Sequence, residues 1–311
     1  ALAGAAALWA LGVLPPWPMS RQGPAQQRVP APRQAPAVYG YRVVRRYRHD
    51  PAAFTQGLLW VNDTLYESTG LYKRSSVREV RLHSKEGAVG TSEIVRKVAL
   101  DGQHFGEGLV HMQDELLQLL WRQGDGLRFS VQAGDGGHLR ALPHRAFKTP
   151  LNDGWGLATD GKALLATDSG ADVFFLDPES LARQKSLRVT DNGTAIEMLN
   201  ELEVIDGELW ANVFGQECLA RINLDTGLVA GWVVLTDLLN WAKARKLAQK
   251  KGREMPDVMN GIAWDPLRRS LFVTGKLWPL LFEIEVIPTT NISLEEARRR
   301  CIPPRNVFRS S

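Results

Sequence analysis

The feature that most constrains the fold is a pattern that recurs five times along the 311-residue chain. Each copy has a Leu or Ile anchor, a short run, a turn, and a second apolar run. The copies are QGLLWVNDTLYESTG from residue 56, EGLVHMQDELLQLLW from 107, WGLATDGKALLATDS from 155, NELEVIDGELWANVF from 200 and NGIAWDPLRRSLFVTGK from 260. Their anchors at positions 58, 109, 157, 202 and 262 are 51, 48, 45 and 60 residues apart.

Each copy predicts a β-hairpin, because two short extended runs flank a turn pair such as Asn-Asp or Asp-Gly that tolerates turn dihedrals. A further strand-like run, for example DVFFLD or LLFEIEV, follows each hairpin. Antiparallel units that repeat at this interval are typical of a β-propeller. The sequence therefore predicts an all-β fold, a five-bladed β-propeller over residues 41–287.

The segments around this domain have other compositions. Residues 21–40 are rich in Pro, Gln and Arg and predict a flexible linker. The stretch LTDLLNWAKARKLAQKKGR predicts a helical insertion before the last blade, capped by Asp237, which accounts for the longest spacing. The C-terminal tail, residues 288–311, is expected to be partly helical at SLEEARRR.

The N-terminus indicates the secretory pathway. Residues 1–20 open with fourteen uncharged, apolar residues, which suit a signal peptide or a membrane-anchor segment. Three sequons, at Asn62, Asn192 and Asn291, are compatible with a secreted, vacuolar or endomembrane-lumen glycoprotein. The two cysteines, Cys218 and Cys301, either form a disulfide between the domain and the tail or stay free.

The charge balance and the motifs exclude several classes. The net charge is only +4, and no aromatic-interleaved basic motif accompanies the basic helix, so no nucleic-acid partner is expected. The chain has no G-x-S-x-G nucleophile elbow, phosphate-binding loop, H-E-x-x-H zinc motif or C-x-x-C pair. Any chemistry must therefore come from a less common set of side chains.

The repeat register predicts a pocket. The start of the first strand and the end of the second lie at the same rim of a hairpin, so equivalent residues should gather at one mouth of the propeller. The first-strand residues are Gln56, Glu107, Trp155, Asn200 and Asn260. The second-strand residues are Gly70, Trp121, Ser169, Phe214 and Lys276. Carboxamides also suit turn backbone groups and aromatics also suit a core, but a carboxylate between glycines needs a partner when buried.

Ordered blocks carry a family resemblance. FTQG at 54, ESTGLY at 67, FGEG at 105, GWGLATDG at 154, LNELE at 199, NGIAWD at 260 and TGKLWP at 274 together resemble the plant-type glutaminyl cyclases. That family consists of five-bladed propellers that convert the amino-terminal glutamine of a peptide to pyroglutamate and release ammonia. The resemblance implies a glutaminyl-peptide cyclotransferase, an aminoacyl-type acyltransferase.

The resemblance also implies roles for residues. Glu107 becomes the proton-transferring group, and Lys276 joins it as a catalytic residue that stabilises negative charge. The substrate-binding residues that the resemblance implies are Phe54, Gln56, Phe105, Trp121, Trp155 and Asn200, and the repeat register adds Phe214 and Asn260. Phe214, Lys73 and Leu280 depart from the family pattern, which puts substrate preference rather than activity in question.

Two other functions stay open. A calcium-dependent propeller hydrolase or lactonase would use Glu107, Asn200 and Asn260 as oxygen ligands. A non-catalytic binding module would use the same mouth without turnover. For the cyclotransferase we expect no cofactor in catalysis and no catalytic metal, while a structural cation in the central channel stays open. The expected partners are peptides or proteins with N-terminal glutamine, and the expected state is a monomer.

Overall fold

The computed structural model describes residues 35–131, 140–141 and 146–304. The predicted signal peptide or anchor at 1–20 and the linker up to residue 34 lie outside these ranges. The all-β class is confirmed, because strands dominate and only two short helices occur in the described residues. Neither helix is long and apolar enough to cross a bilayer.

The first strand, β1 (Ala37–Arg48), begins inside the predicted linker. The folded domain therefore starts before residue 41. The physical reason is strand pairing, since Tyr39 lies opposite both Pro288 and Val233 in the sheet. Backbone hydrogen bonding thus overrides the linker-like composition of these residues.

The other strands form sheets that follow chain order. The first sheet contains β2 (Thr55–Val61), β3 (Thr64–Thr69), β4 (Ser76–His83) and β5 (Thr91–Ala99). The second contains β6 (Gly106–Met112), β7 (Glu115–Leu120), β8 (Asp125–Ser130), β9 (Arg140–Ala141) and β10 (Phe147–Lys148). The third contains β11 (Leu157–Thr159), β12 (Leu164–Thr167), β13 (Asp172–Leu176) and β14 (Arg183–Arg188).

The remaining strands include a small pair and two longer runs. The pair is β15 (Thr190–Asp191) and β16 (Thr194–Ala195). One run is β17 (Leu199–Ile205), β18 (Glu208–Val213), β19 (Cys218–Asn223) and β20 (Val229–Val234). The other is β21 (Met259–Asp265), β22 (Ser270–Gly275) and β23 (Leu280–Pro288). Strand β1 joins the two runs into one eight-stranded sheet, parallel to β20 and antiparallel to β23.

The five predicted hairpins are confirmed as the antiparallel pairs β2–β3, β6–β7, β11–β12, β17–β18 and β21–β22. In the first, Asn62 and Asp63 have φ values of 47° and 61°. In the fourth, Asp206 and Gly207 have φ values of 50° and 82°. Two consecutive positive φ values are what a type I′ turn requires, so the sequence of these turns fixes the hairpin register.

The first strands of neighbouring hairpins approach one another so closely that glycine is required at the contact. A Cβ atom on Gly108 would lie 2.5 Å from the Leu157 nitrogen, and one on Gly156 would overlap the Asn200 carbonyl oxygen. Glu201 occupies the matching position of the fourth hairpin. Its carboxylate accepts hydrogen bonds from the backbone N–H of Leu58 at 3.2 Å and of Ile262 at 2.7 Å. These contacts hold the first strands in fixed positions.

The predicted helical insertion is confirmed as α1 (Trp241–Lys250), but its predicted cap is wrong. Asn240, rather than Asp237, caps the helix, and its side-chain oxygen accepts a hydrogen bond from Lys243 N at 2.9 Å. Asp237 lies in the preceding turn with φ of 69°. Trp241 packs against buried Trp278 at 5.6 Å between ring centroids, so the insertion covers the last sheet.

The predicted tail helix is confirmed as α2 (Leu294–Cys301) and is fixed to the run of strands β17–β20. Cys301 forms a disulfide with Cys218 on β19, with 5.4 Å between the Cα atoms, which confirms the bridged alternative. Arg298 donates two hydrogen bonds to the buried carboxylate of Asp191, at 2.9 and 2.6 Å. A covalent bond and a bidentate ion pair thus secure the tail.

The close contact between Gly156 and the Asn200 backbone leaves no room for a side chain at position 156. We expect Gly156→Ala to lower the free energy of unfolding by at least about 2 kcal/mol, because the new methyl group must displace the backbone of a neighbouring strand. Chemical denaturation monitored by circular dichroism measures the change. Gly40→Ala is the matched control, since its nearest neighbour, Thr289 Cβ, would lie 3.7 Å away. Equal stability of the two variants would contradict the requirement for close approach.

Candidate active site

The candidate site begins with irregularities in the first strands of the hairpins. Four of these strands shift register against their partners, between Thr55 and Gly57, Gly106 and Leu109, Leu199 and Leu202, and Met259 and Ile262. The residues within the shifts include Gln56, Glu107, Asn200 and Asn260. A bulge turns a side chain away from the regular alternation of a strand. Gln56, Glu107 and Asn200 therefore turn away from the sheet faces towards a common space.

These residues surround a cavity of about 470 Å³. Its lining is Phe54, Gln56, Phe105, Glu107, Trp121, Arg122, Asp153, Trp155, Ser169, Met198, Asn200, Phe214 and Lys276. The structure thus brings together every predicted site residue except Asn260. The volume and the mixture of aromatic walls with a few polar groups are typical of a small-molecule or side-chain binding site.

Asn260 supports the cavity from behind instead of lining it. Its side-chain nitrogen donates hydrogen bonds to the Thr55 carbonyl oxygen at 3.1 Å and to Gln56 Oε1 at 3.3 Å. Gln56 in turn donates from Nε2 to Glu107 Oε1 at 2.9 Å. The predicted substrate contact of Asn260 is therefore replaced by a relay that orients the side chain of Gln56 toward Glu107.

Glu107 is the central ionisable group of the cavity. It is 3% exposed, and among the described residues only Gln56 donates to its carboxylate, so Oε2 has no protein partner there. Burial raises the pKa of Glu107 well above its usual value of 4.5; Lys276 lowers it and Asp153 raises it further. A carboxyl with one free oxygen and a raised pKa is suited to exchange protons with a bound ligand.

Lys276 is the buried cation of the same cavity, with 4% exposure. Its ammonium lies over the rings of Phe54 and Phe214, at 4.8 and 5.0 Å from their centroids. Burial lowers the pKa of Lys276, while the nearby carboxylate of Glu107 raises it. Cation–π contacts partly replace the lost water, so the amine retains donors that a ligand oxygen can use.

Asn200 contributes an unused acceptor. Its side-chain oxygen is buried and has no hydrogen-bond partner in the described part of the chain. A buried acceptor without a partner costs free energy, because it has lost water without gaining a donor. Asn200 also lines the cavity, so its carboxamide is placed to contact a bound ligand.

The aromatic residues form two arms around these polar groups. One arm contains Phe54, Phe105 and Trp121, with centroid distances of 6.0 Å and 5.2 Å between successive rings. The other contains Trp155 and Phe214, 5.6 Å apart. Gly70 makes room for the first arm, because a Cβ atom there would overlap the ring of Phe105. The arms supply an apolar wall that excludes water from the carboxyl.

The lining of the cavity, as the described residues form it, contains two carboxyl groups, those of Glu107 and Asp153, and no His or Cys. In residues 35–131 and 146–304, no group of three or more His, Cys, Asp or Glu side chains is arranged to hold one. The alternative calcium set of Glu107, Asn200 and Asn260 supplies a single carboxylate. The side-chain oxygens of Asn200 and Asn260, the atoms that would bind calcium, have no hydrogen-bond partner in the described part of the chain.

The family model for glutamine cyclotransferase matches residues 18–286 of the chain. This chain belongs to the glutamine cyclotransferase family. A glutaminyl-peptide cyclotransferase from Arabidopsis thaliana is 42% identical over 261 residues, which cover 84% of this chain and 75% of that protein. The crystal structure of a glutaminyl cyclase from Myxococcus xanthus matches with a TM-score of 0.66 and 28% identity, over 82% of this chain and 99% of that one. The resemblance found in the sequence motifs is confirmed.

Three lining residues of this glutamine cyclotransferase family member were predicted neither from the repeat nor from the resemblance: Arg122, Asp153 and Met198. Asp153 and Met198 lie in loops before the first strands of their hairpins, and Arg122 follows Trp121. Their only sequence signal is proximity to predicted positions, two residues before Trp155 and Asn200 and one after Trp121. Ser169, which the register places at the rim, does line the cavity.

The environment of Glu107 predicts an unusual titration for this family member. We expect the carboxyl to remain protonated above pH 4.5 and to ionise only as the pH rises through its raised pKa. The infrared band of the protonated carboxyl, taken as the difference between the parent and Glu107→Gln, reports this step.

The same titration in the Lys276→Met variant tests the effect of the neighbouring cation on Glu107. Because the ammonium of Lys276 favours the ionised carboxylate, its removal should move the midpoint to higher pH. A parental midpoint at or below 4.5, or a downward shift in Lys276→Met, would show that burial does not control this group.

Proposed function

We propose that the cavity binds the amino-terminal glutamine of a peptide and converts it to pyroglutamate with release of ammonia. The chain then acts as a glutaminyl-peptide cyclotransferase, in agreement with its family and with the name of its Arabidopsis relative. The observation that carries this proposal is Glu107. It is a buried carboxyl with a raised pKa and one oxygen free toward the cavity.

Ring closure depends first on the conformation of the substrate. The α-amine must reach the side-chain amide carbon of its own residue, so holding the glutamine folded supplies much of the rate by proximity. The two aromatic arms are placed to hold the side-chain stem and the plane of the amide. The cavity accommodates one side chain and its amine, which leaves the following residues of the peptide outside.

Glu107 then moves the proton. When the amine nitrogen forms a bond with the amide carbon, that nitrogen becomes positive and gives a proton to Glu107. The tetrahedral intermediate collapses when its amide nitrogen gains a proton from Glu107, the carbon–nitrogen bond breaks, and ammonia leaves. A pKa above the usual carboxyl range favours both steps, since the group must accept a proton and then return it.

Lys276 and the carboxamides stabilise the intermediate. The amide oxygen gains negative charge as its carbon becomes tetrahedral, and preorganised donors in a water-poor site are effective against such charge. Lys276 is the cation available in the lining, since Arg122 lies at the rim with 67% of its side chain exposed. The carboxamide of Asn200, which lines the cavity, is placed to contact the substrate amine or amide.

We further propose that the five hairpins belong to the five blades of a propeller. Hydrogen bonds between successive units support this arrangement. They run from Ser68 to the Glu107 carbonyl, from Gly108 to the Trp155 carbonyl, from Thr167 to the Asn200 carbonyl, from Ile262 to the Glu201 carboxylate and from Asn260 to the Thr55 carbonyl. Each unit is thus linked to the next, and the fifth returns to the first.

The cellular setting is a proposal of its own. We place the protein in the secretory pathway, as a glycosylated monomer whose residues 1–20 direct or anchor it. The disulfide between Cys218 and Cys301 supports an oxidising compartment. Asn62 and Asn291 are exposed at turns, where a glycan meets no packing. A structural cation in the channel is compatible with this proposal, and none is assigned a step.

The proposed function is tested with a glutaminyl peptide and mass spectrometry, which detects loss of one ammonia. We expect Glu107→Gln to keep the fold and to slow cyclisation by about 10²- to 10⁴-fold, the usual contribution of a general acid–base group. Glu179→Gln, an exposed loop substitution of the same type, is the control and should keep the parental rate.

The outcomes separate the candidate functions. Cyclisation at the parental rate in Glu107→Gln would contradict the proton-transfer role. Activity that is lost with EDTA and restored by calcium would favour the hydrolase alternative. A peptide that binds with unchanged mass would favour the binding module.

A further inference from the structure

Asp153 joins the two aromatic arms of the cavity. It lies in the loop between β10 and β11, with 28% of its side chain exposed. Its Oδ1 atom accepts a hydrogen bond from Trp121 Nε1 at 2.8 Å and another from Trp155 Nε1 at 3.2 Å. A single carboxylate oxygen therefore connects two indoles, one from the turn after β7 and one from the loop before β11.

This connection closes the wall on one side. Within the described residues, the rings of Trp121 and Trp155 make no ring-to-ring contact with each other. On the opposite side, Lys276 lies between Phe54 and Phe214 and closes the second gap through its cation–π contacts. The wall is thus a continuous ring of aromatic side chains with one anion and one cation at its two junctions.

The junction at Asp153 constrains the orientation of both indoles. An indole offers a single N–H donor, so the acceptor it finds determines the rotation of the ring about its side-chain bonds. Hydrogen bonds to a carboxylate are stronger than those to a neutral acceptor. Arg122 adds a constraint from outside, because its guanidinium carbon lies 4.5 Å from the ring centroid of Trp121 and its Nε atom 3.8 Å from Asp153 Oδ1.

We propose that Asp153 is a positioning residue that holds the Trp121 and Trp155 indoles at the spacing needed to grip the side-chain amide of the substrate glutamine. This inference rests on the proposed cyclotransferase function and deepens it. Asp153 acts through the two indoles and performs no proton transfer. Its loss should therefore affect the binding of the folded substrate more than the proton-transfer step.

Two substitutions separate the acceptor role from the charge. Asp153→Asn keeps a side-chain oxygen of the same reach, whereas Asp153→Leu removes both acceptor oxygens at similar size. For cyclisation of a glutaminyl peptide, we expect Asp153→Leu to lower kcat/KM by roughly 10- to 100-fold, mainly through a higher KM, as displaced positioning groups do. Asp153→Asn should recover most of this loss. Asp225→Leu, in an exposed turn, is the control and should match the parent.

A double-mutant comparison tests whether the effect passes through the indoles. In a chain that already carries Trp121→Phe and Trp155→Phe, the N–H donors are gone, so Asp153→Leu should cause little further loss. Residues that act as one unit show this kind of non-additivity. Full additivity would overturn the proposal, as would equal effects of Asp153→Asn and Asp153→Leu or a KM for Asp153→Leu within twofold of the parent.

A spectroscopic measurement separates this inference from the proposed function. Near-ultraviolet circular dichroism reports the fixed orientation of tryptophans without any substrate. We expect Asp153→Leu to change the tryptophan bands, and Asp153→Asn to leave them close to the parent. If the parent fails to cyclise glutaminyl peptides, the proposed function is wrong. If the bands of Asp153→Leu equal those of the parent, the positioning role is wrong whatever the activity.

Discussion

The close packing of the first strands of the five hairpins is the constraint on which the site depends. Where one strand meets the next, a side chain is replaced by hydrogen at Gly57, Gly108 and Gly156, because a Cβ atom would overlap the neighbouring backbone. The residue just before each glycine is a cavity residue: Gln56, Glu107 and Trp155. In these three hairpins, the glycine that allows close strand packing therefore directly follows a residue that lines the cavity. The glycine brings the strands together, and the residue before it then faces its counterparts.

The fourth hairpin solves the same packing problem differently. Glu201 replaces the glycine, and its buried carboxylate bridges the backbone N–H groups of Leu58 and Ile262. Burial raises the pKa of Glu201 well above its usual value, against the opposing effect of these two hydrogen bonds. Two buried carboxyls, on the first strands of the second and fourth hairpins, thus have different tasks. Glu201 has both oxygens engaged and serves the scaffold, while Glu107 keeps one oxygen free for chemistry.

The environment of the cavity explains why so few polar groups are needed. Aromatic walls remove water from Glu107 and Lys276, so each group acts more strongly on a ligand than it would in solvent. Their opposite charges partly offset the cost of burial, since each moves the pKa of the other back toward its ordinary value. One proton carrier, one cation and a few carboxamides then suffice for a reaction in which the substrate supplies its own nucleophile.

The structural features that could be predicted from the sequence are local ones that recur in each copy of the repeat. The hairpins and the mouth positions follow from a register that each copy carries in its own residues. Asp153 was not predicted because it lies in a connecting loop. Its role depends on hydrogen bonds to two tryptophans that are distant in the sequence. Asn260 was placed correctly in the chain, but the bulge at Gly261 directs its amide to Thr55 and Gln56. Asp237 and Asn240 both have side chains that can cap a helix. The backbone path of the turn places Asn240, and not Asp237, at the cap position.

The central claim is that one carboxyl serves both nitrogens of the substrate. A crystal structure of the Glu107→Gln protein with a bound glutaminyl peptide tests it most directly. We expect the α-amine nitrogen and the side-chain amide nitrogen of the peptide both to lie within hydrogen-bond distance of the side chain at position 107, with the amide oxygen directed at Lys276. A glutamine bound with either nitrogen beyond hydrogen-bond distance of that position would contradict the account. So would a glutamine whose side chain lies outside the cavity enclosed by the aromatic side chains.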